Sequence, residues 1–222
     1  MTHLLVVGAG PGISAATARR LGRGGYAVSL VARREEALAE LQADLAADGV
    51  LAGRVLADAA DPASLTAAVE LLVETFGPVD VLLYNISVGR QVTVPDLAPE
   101  DLLADLAAGA VGLQTAVRAV LPGMRERGAG TILVTGSGSA DRPVASMATL
   151  GVQKAALRAL AEVQAAALAP EGIHVATVTI RGLVGAGERQ IHPDRVADLY
   201  ADLVAETSGP SEQWRTVVEM TR

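Results

Sequence analysis

The 222-residue sequence contains no cysteine. That absence excludes a disulfide frame, a thiol nucleophile and a thiolate metal site. Histidine is scarce as well: His3, His174 and His192 stand far apart without ligand spacing, so no metal site is expected. Lysine and arginine number 18 against 25 acidic residues, a net charge of −7, and the basic residues are scattered rather than clustered. A nucleic-acid binder concentrates positive charge on one face, so no nucleic-acid partner is expected. The N-terminal apolar run, Leu4 to Val7, is too short for a signal-peptide core and stops at glycine. No stretch reads as a membrane span, which points to a cytoplasmic protein with no membrane partner. Internal repeats, low-complexity tracts and interdomain linkers are lacking too.

What is present is a chain that is half apolar and strictly alternating in pattern, enough for one substantial core in a single domain over residues 1–222. It is organised around Val6-Val7-Gly8-Ala9-Gly10-Pro11-Gly12-Ile13-Ser14, where an apolar strand meets an amphipathic helix through a glycine-dense turn. Glycines there let backbone N–H groups close on a phosphate at the positive end of the helix. The G-x-G-x-x-G fingerprint fails, because Ile13 occupies its last glycine position. The spacing that fits is Gly8-x-x-x-Gly12-x-Ser14. A tight turn without a ligand is the alternative; the position at the head of a βαβ pattern favours a dinucleotide.

The first strand, about His3 to Val7, lacks polar alternation, as a strand buried on both faces does. Strands are expected at Tyr26 to Val31, Arg54 to Ala57, Val79 to Tyr84, Thr131 to Thr135 and Ile173 to Ile180. Helices fall between them, including a long region from Pro99 to about Arg127, interrupted near Gly109 and Gly112, and an alanine-rich helix from about Ala145 to Leu168. This alternation predicts an α/β fold, a Rossmann-type doubly wound parallel sheet in order 3-2-1-4-5-6 with helices on both faces. A short last strand is expected within Trp214 to Met220. The loop from Arg181 to Pro193 follows a strand's carboxyl end, where such sheets bind ligands.

Several of these segments resemble the short-chain dehydrogenase/reductase family over about residues 3 to 184. Gly8-x-x-x-Gly12-x-Ser14 is similar to its G-x-x-x-G-x-G turn. Val79 to Ser87 resembles its strand ending in N-N-A-G, with Asn85 kept. Thr131 to Ser137 resembles the strand that delivers its catalytic serine, and the following Leu150-Gly151-Val152-Gln153-Lys154 lies where the family carries Y-x-x-x-K. The lysine is present and the tyrosine is not. The family's active-site asparagine falls on Gly109, and Arg181-Gly182 stands where P-G is usual.

The resemblance implies an oxidoreductase acting on a small carbonyl or alcohol. Ser137 would hold the substrate oxygen and Lys154 the nicotinamide ribose. Leu150 cannot exchange a proton; Tyr84, at a strand end, and His192, in the loop, are the candidate alternative proton sources, against a packed strand-end aromatic for the first and a plain loop histidine before a proline for the second. Cofactor contacts are expected from Gly8, Gly10, Gly12, Ile13, Arg33, Asp58, Asn85 and Lys154. The second strand ends in Ala32-Arg33-Arg34, without the acidic residue that would bond a ribose 2′-hydroxyl. Arg33 facing a 2′-phosphate gives a preference for NADP(H), with NAD(H) possible; the alternative is two solvated arginines before the Glu35-Glu36 helix. A homodimer or homotetramer through the two long helices is implied. The competing function is a non-catalytic dinucleotide-binding sensor or partner protein.

Overall fold

A computed structural model describes residues 1–222. The chain alternates β1 (His3–Val7), α1 (Ile13–Gly22), β2 (Ala27–Ala32), α2 (Glu35–Ala47), β3 (Ala52–Leu56), α3 (Pro62–Phe76) and β4 (Val81–Tyr84). There follow α4 (Pro99–Leu106), α5 (Gly112–Arg127), β5 (Gly130–Ser137), α6 (Ala148–Leu168), β6 (Ile173–Ile180), α7 (Pro193–Ala205) and β7 (Val217–Met220). All seven strands are parallel, in the order β3-β2-β1-β4-β5-β6-β7, so the expected doubly wound order holds and the tail adds the last strand.

The uninterrupted apolar sequence of β1 follows from two covered faces. Leu5 and Val7 point into a core layer with α3, α5 and α6, while Leu4 and Val6 point into the opposite layer with α1, α2 and α7. All four are fully buried. Register places Leu5 opposite Ser29 of β2 and Leu82 of β4, which aligns the carboxyl ends of the three central strands. Helix starts are fixed by local chemistry. Asp61 caps α3 by accepting from the Ala63 and Ser64 amides, with Pro62 in the first turn.

Several boundaries differ from the expected ones: β2 begins at Ala27 rather than Tyr26, β4 at Val81 rather than Val79 and α6 at Ala148 rather than Ala145, and β5 extends over Gly130–Ser137. β3 begins at Ala52 rather than Arg54, because an edge strand with exposed Leu56 carries a weak hydrophobic pattern. The region from Pro99 to Arg127 is one continuous rod, with a π-turn over Ala107–Val111 where an interruption was expected. That rod is long and apolar enough to cross a membrane by length and composition, contrary to the reading that no stretch would be; half of its most apolar window is buried within the fold.

Candidate active site

The carboxyl ends of β1, β2 and β4 open into a cavity of about 450 Å³ whose lining includes Gly8, Ala9, Arg33, Asp58, Asn85 and Val88. Gly8 and Gly12 both have φ of +87°, which an L side chain rarely adopts. A Cβ on Gly8 would lie 2.5 Å from the Asn85 carbonyl oxygen, so this glycine is also what lets β1 and β4 close together. Above Gly10 and Gly12 the space is open, and no side chain caps the first turn of α1, whose start at Ile13 is buried. An uncapped helix N-terminus behind an open glycine turn suits a phosphate.

Ser14 does more than keep α1 near the sheet. Its hydroxyl donates to the Gly8 carbonyl at 2.9 Å and accepts from Asn85 Nδ2 at 2.6 Å, tying the turn to the end of β4. Asn85 therefore braces the cleft wall as well as lining it. At the far side Arg33, 70% exposed, reaches within 3.9 Å of the Asp58 carboxylate, leaving its guanidinium available to an anion.

The second half of the site is built on β5 and α6. Ser137 closes β5, and its Oγ accepts from the Ser139 amide at 3.1 Å. Lys154 is buried, and its Nζ donates to the carbonyls of Ile86 (2.7 Å) and Thr135 (2.9 Å). With no carboxylate beside it, burial lowers its pKa to about 8. Lys154 thus links the end of β5 to the segment after β4 that lines the cavity.

A family model described as short chain dehydrogenase matches residues 2–192 of the chain. This chain belongs to the short-chain dehydrogenase family. It is 31% identical over 151 residues to a 2,3-dihydro-2,3-dihydroxybenzoate dehydrogenase of Bacillus subtilis, a match covering 68% of this chain and 58% of that protein. The chain thus spans under two thirds of that curated relative's length. Among solved structures, a metagenomic short-chain oxidoreductase in complex with NADP superposes with a TM-score of 0.86 at 26% identity, covering 100% of this chain and 97% of that one. An actinorhodin polyketide ketoreductase variant with NADPH superposes at 0.89 and 26% identity, over 99% of this chain and 95% of that one.

The two residues read as alternative proton sources each make a local structural contact. Tyr84 is fully buried in the layer under α3, α5 and α6, outside the cavity lining, and its hydroxyl donates to the Ala108 carbonyl of the π-turn. Burial pushes its pKa well above that of an ordinary tyrosine. The expectation that it exchanges a proton with substrate is therefore corrected: its hydroxyl is spent inside the core. His192 is an exposed helix cap for α7, its Nδ1 accepting from the Asp194 amide at 3.3 Å. Arg181, in place of the usual P-G, bridges Asp141 and Glu219 and so fastens the end of β6 to β7 and to the segment after β5.

Sequence reasoning missed Gln153. It is fully buried, and its carboxamide holds both backbone groups of Val88, accepting from N–H at 3.0 Å and donating to C=O at 2.8 Å. The available signal was a polar amide directly before the lysine in an alanine-rich helix.

Proposed function

We propose that this protein binds NADP(H) and acts as a short-chain-type oxidoreductase on a small carbonyl or alcohol, with an incomplete proton-transfer apparatus. The observation that carries the reading is the single cleft lined by Gly8 and Ala9 of the glycine turn, by Arg33 and by the Ile86–Val88 wall, which Lys154 anchors from behind. The residues fit the cofactor: the uncapped start of α1 suits its diphosphate, Arg33 its 2′-phosphate, and Lys154 retains an N–H beyond the two already given to carbonyls for a ribose hydroxyl. When bound, the nicotinamide supplies or accepts the hydride.

Ser137 would hold the substrate oxygen through its hydroxyl. Leu150 can exclude water from the reacting centre but cannot give or take a proton. Loss of a placed general acid lowers rates by roughly 10² to 10⁴, about 3 to 5 kcal/mol of barrier, which slows hydride transfer without abolishing it. A second reading, a dinucleotide-binding sensor without turnover, is favoured by the same Leu150 and by the bare Gly109. All 222 residues would serve as one nucleotide-binding unit. Exposed Leu103, Val111, Val152 and Val163 along α4, the π-turn and α6 support a homodimer or homotetramer.

The test is the dissociation constants of NADPH and NADH, read from nicotinamide fluorescence. NADPH should bind more tightly, and Arg33→Ala should weaken it about tenfold, ~1.4 kcal/mol, while leaving NADH nearly unchanged. Equal affinities, or tighter NADH, would overturn the NADP(H) preference.

A further inference from the structure

Gly109 sits in the middle of the π-turn and faces Gln153 of α6. A Cβ built on Gly109 would lie 2.5 Å from Gln153 Oε1 and 2.9 Å from both its Cβ and its Cδ. Contact with the Cβ cannot be relieved by swinging the end of a flexible side chain. A side chain at 109 and Gln153 in its present place therefore exclude one another.

The volume that Gly109 leaves is used. Gln153 is fully buried, and a buried carboxamide is stable only when its polar atoms are paired. Here it pairs in both directions with the backbone of Val88. One residue on, Lys154 donates to the Ile86 carbonyl. Consecutive residues of α6 thus grip consecutive parts of the Ile86–Val88 segment, which forms one wall of the cavity. Other ties to the same loop lie further along the chain. The Val92 amide donates to Ser146, and Arg90 pairs with the buried Asp105, which also accepts from Thr149. Gln153 is the tie at the cavity wall itself.

We propose that Gln153 is a positioning residue that replaces a side chain at position 109: its carboxamide fixes the Ile86–Val88 wall and, through the Ile86 carbonyl, the Lys154 ammonium, so that 109 and 153 form one coupled pair. The part of this that concerns cofactor affinity rests on the proposed NADP(H) binding. A consequence is that an asparagine cannot be added at 109 while Gln153 stays, and that the two positions must be exchanged together.

The experiment has a ligand-free arm and a cofactor arm. In the first, thermal unfolding is measured for wild type, Gly109→Ala, Gln153→Gly and the double variant. Gly109→Ala should lower the midpoint by about 5 °C in the wild-type background and change it little in the Gln153→Gly background, where the opposing Cβ is gone. Additive shifts would overturn the coupling. Hydrogen exchange on ligand-free Gln153→Met, which keeps the volume and removes the carboxamide, should show loss of protection at the Val88 amide; unchanged protection would overturn the clamp.

In the second arm, Gln153→Met should bind NADPH about tenfold more weakly, and Gly109→Asn/Gln153→Gly should recover affinity that Gly109→Ala/Gln153→Gly does not. Wild-type affinity in Gln153→Met would reduce Gln153 to a space filler and overturn its positioning role. A wild type that binds no NADPH would instead overturn the proposed function, while the unfolding cycle and hydrogen exchange still decide the coupled pair.

Discussion

Lys154 is where the chemistry of a single residue has the widest reach. Its ammonium is buried against two carbonyls and no carboxylate, and its pKa falls from 10.5 to about 8. Between those two pH values the unfolded chain still holds the proton that the folded chain has released. Stability of the ligand-free protein should therefore rise with pH from about 8 toward 10, by up to roughly 3 kcal/mol, and Lys154→Met should flatten that rise. Denaturant melts at several pH values below 10, before the buried tyrosines titrate in the unfolded state and oppose the trend, are the check; a slope unchanged in Lys154→Met would refute it. Lys154, Ser137 and Asn85 could be singled out in the sequence as candidates because their spacing along the chain carries a family resemblance. Gln153 and the bracing by Ser14 were not, since both depend on contacts between residues far apart in sequence, 65 apart for Gln153 and Val88 and 71 for Ser14 and Asn85.

At the scale of elements, strand and helix order was readable because β1, β2, β4 and β6 are mostly apolar without a polar face, and parallel sheets bury both faces. The edge strand β3 shifted because one side of it meets solvent. The rod from α4 to α5 was read as interrupted because glycine lowers helix propensity. In the fold Gly109 and Gly112 instead make room: one for Gln153, the other for the Tyr84 hydroxyl, which a Cβ on Gly112 would approach to 2.3 Å. Gly112→Ala should consequently destabilise the protein by about 1 to 3 kcal/mol, although alanine is the better helix former. Tyr84→Phe should relieve part of that loss in the double variant while leaving turnover per active site unchanged when made alone. A stabilising Gly112→Ala, or a selective loss of turnover in Tyr84→Phe, would contradict the structural role assigned to this tyrosine.

For the whole molecule, the sheet places a glycine turn and an arginine around one cleft and a buried lysine behind its wall, with leucine where the family's tyrosine is expected. Oligomerisation through α4 and α6 is tested by light scattering at micromolar concentration, which should give the mass of a dimer or tetramer; a clean monomer would remove that proposal and leave the fold intact. The central claim is that the cofactor site is kept and the proton donor is not. It is tested most directly by the rate of NADPH oxidation over a panel of ketones, measured for wild type and Leu150→Tyr at saturating cofactor. Wild type should turn over slowly, and Leu150→Tyr should be faster by up to about 10²-fold, the bare Gly109 limiting the gain. A fast wild-type rate that Leu150→Tyr leaves unchanged or lowers would contradict the account.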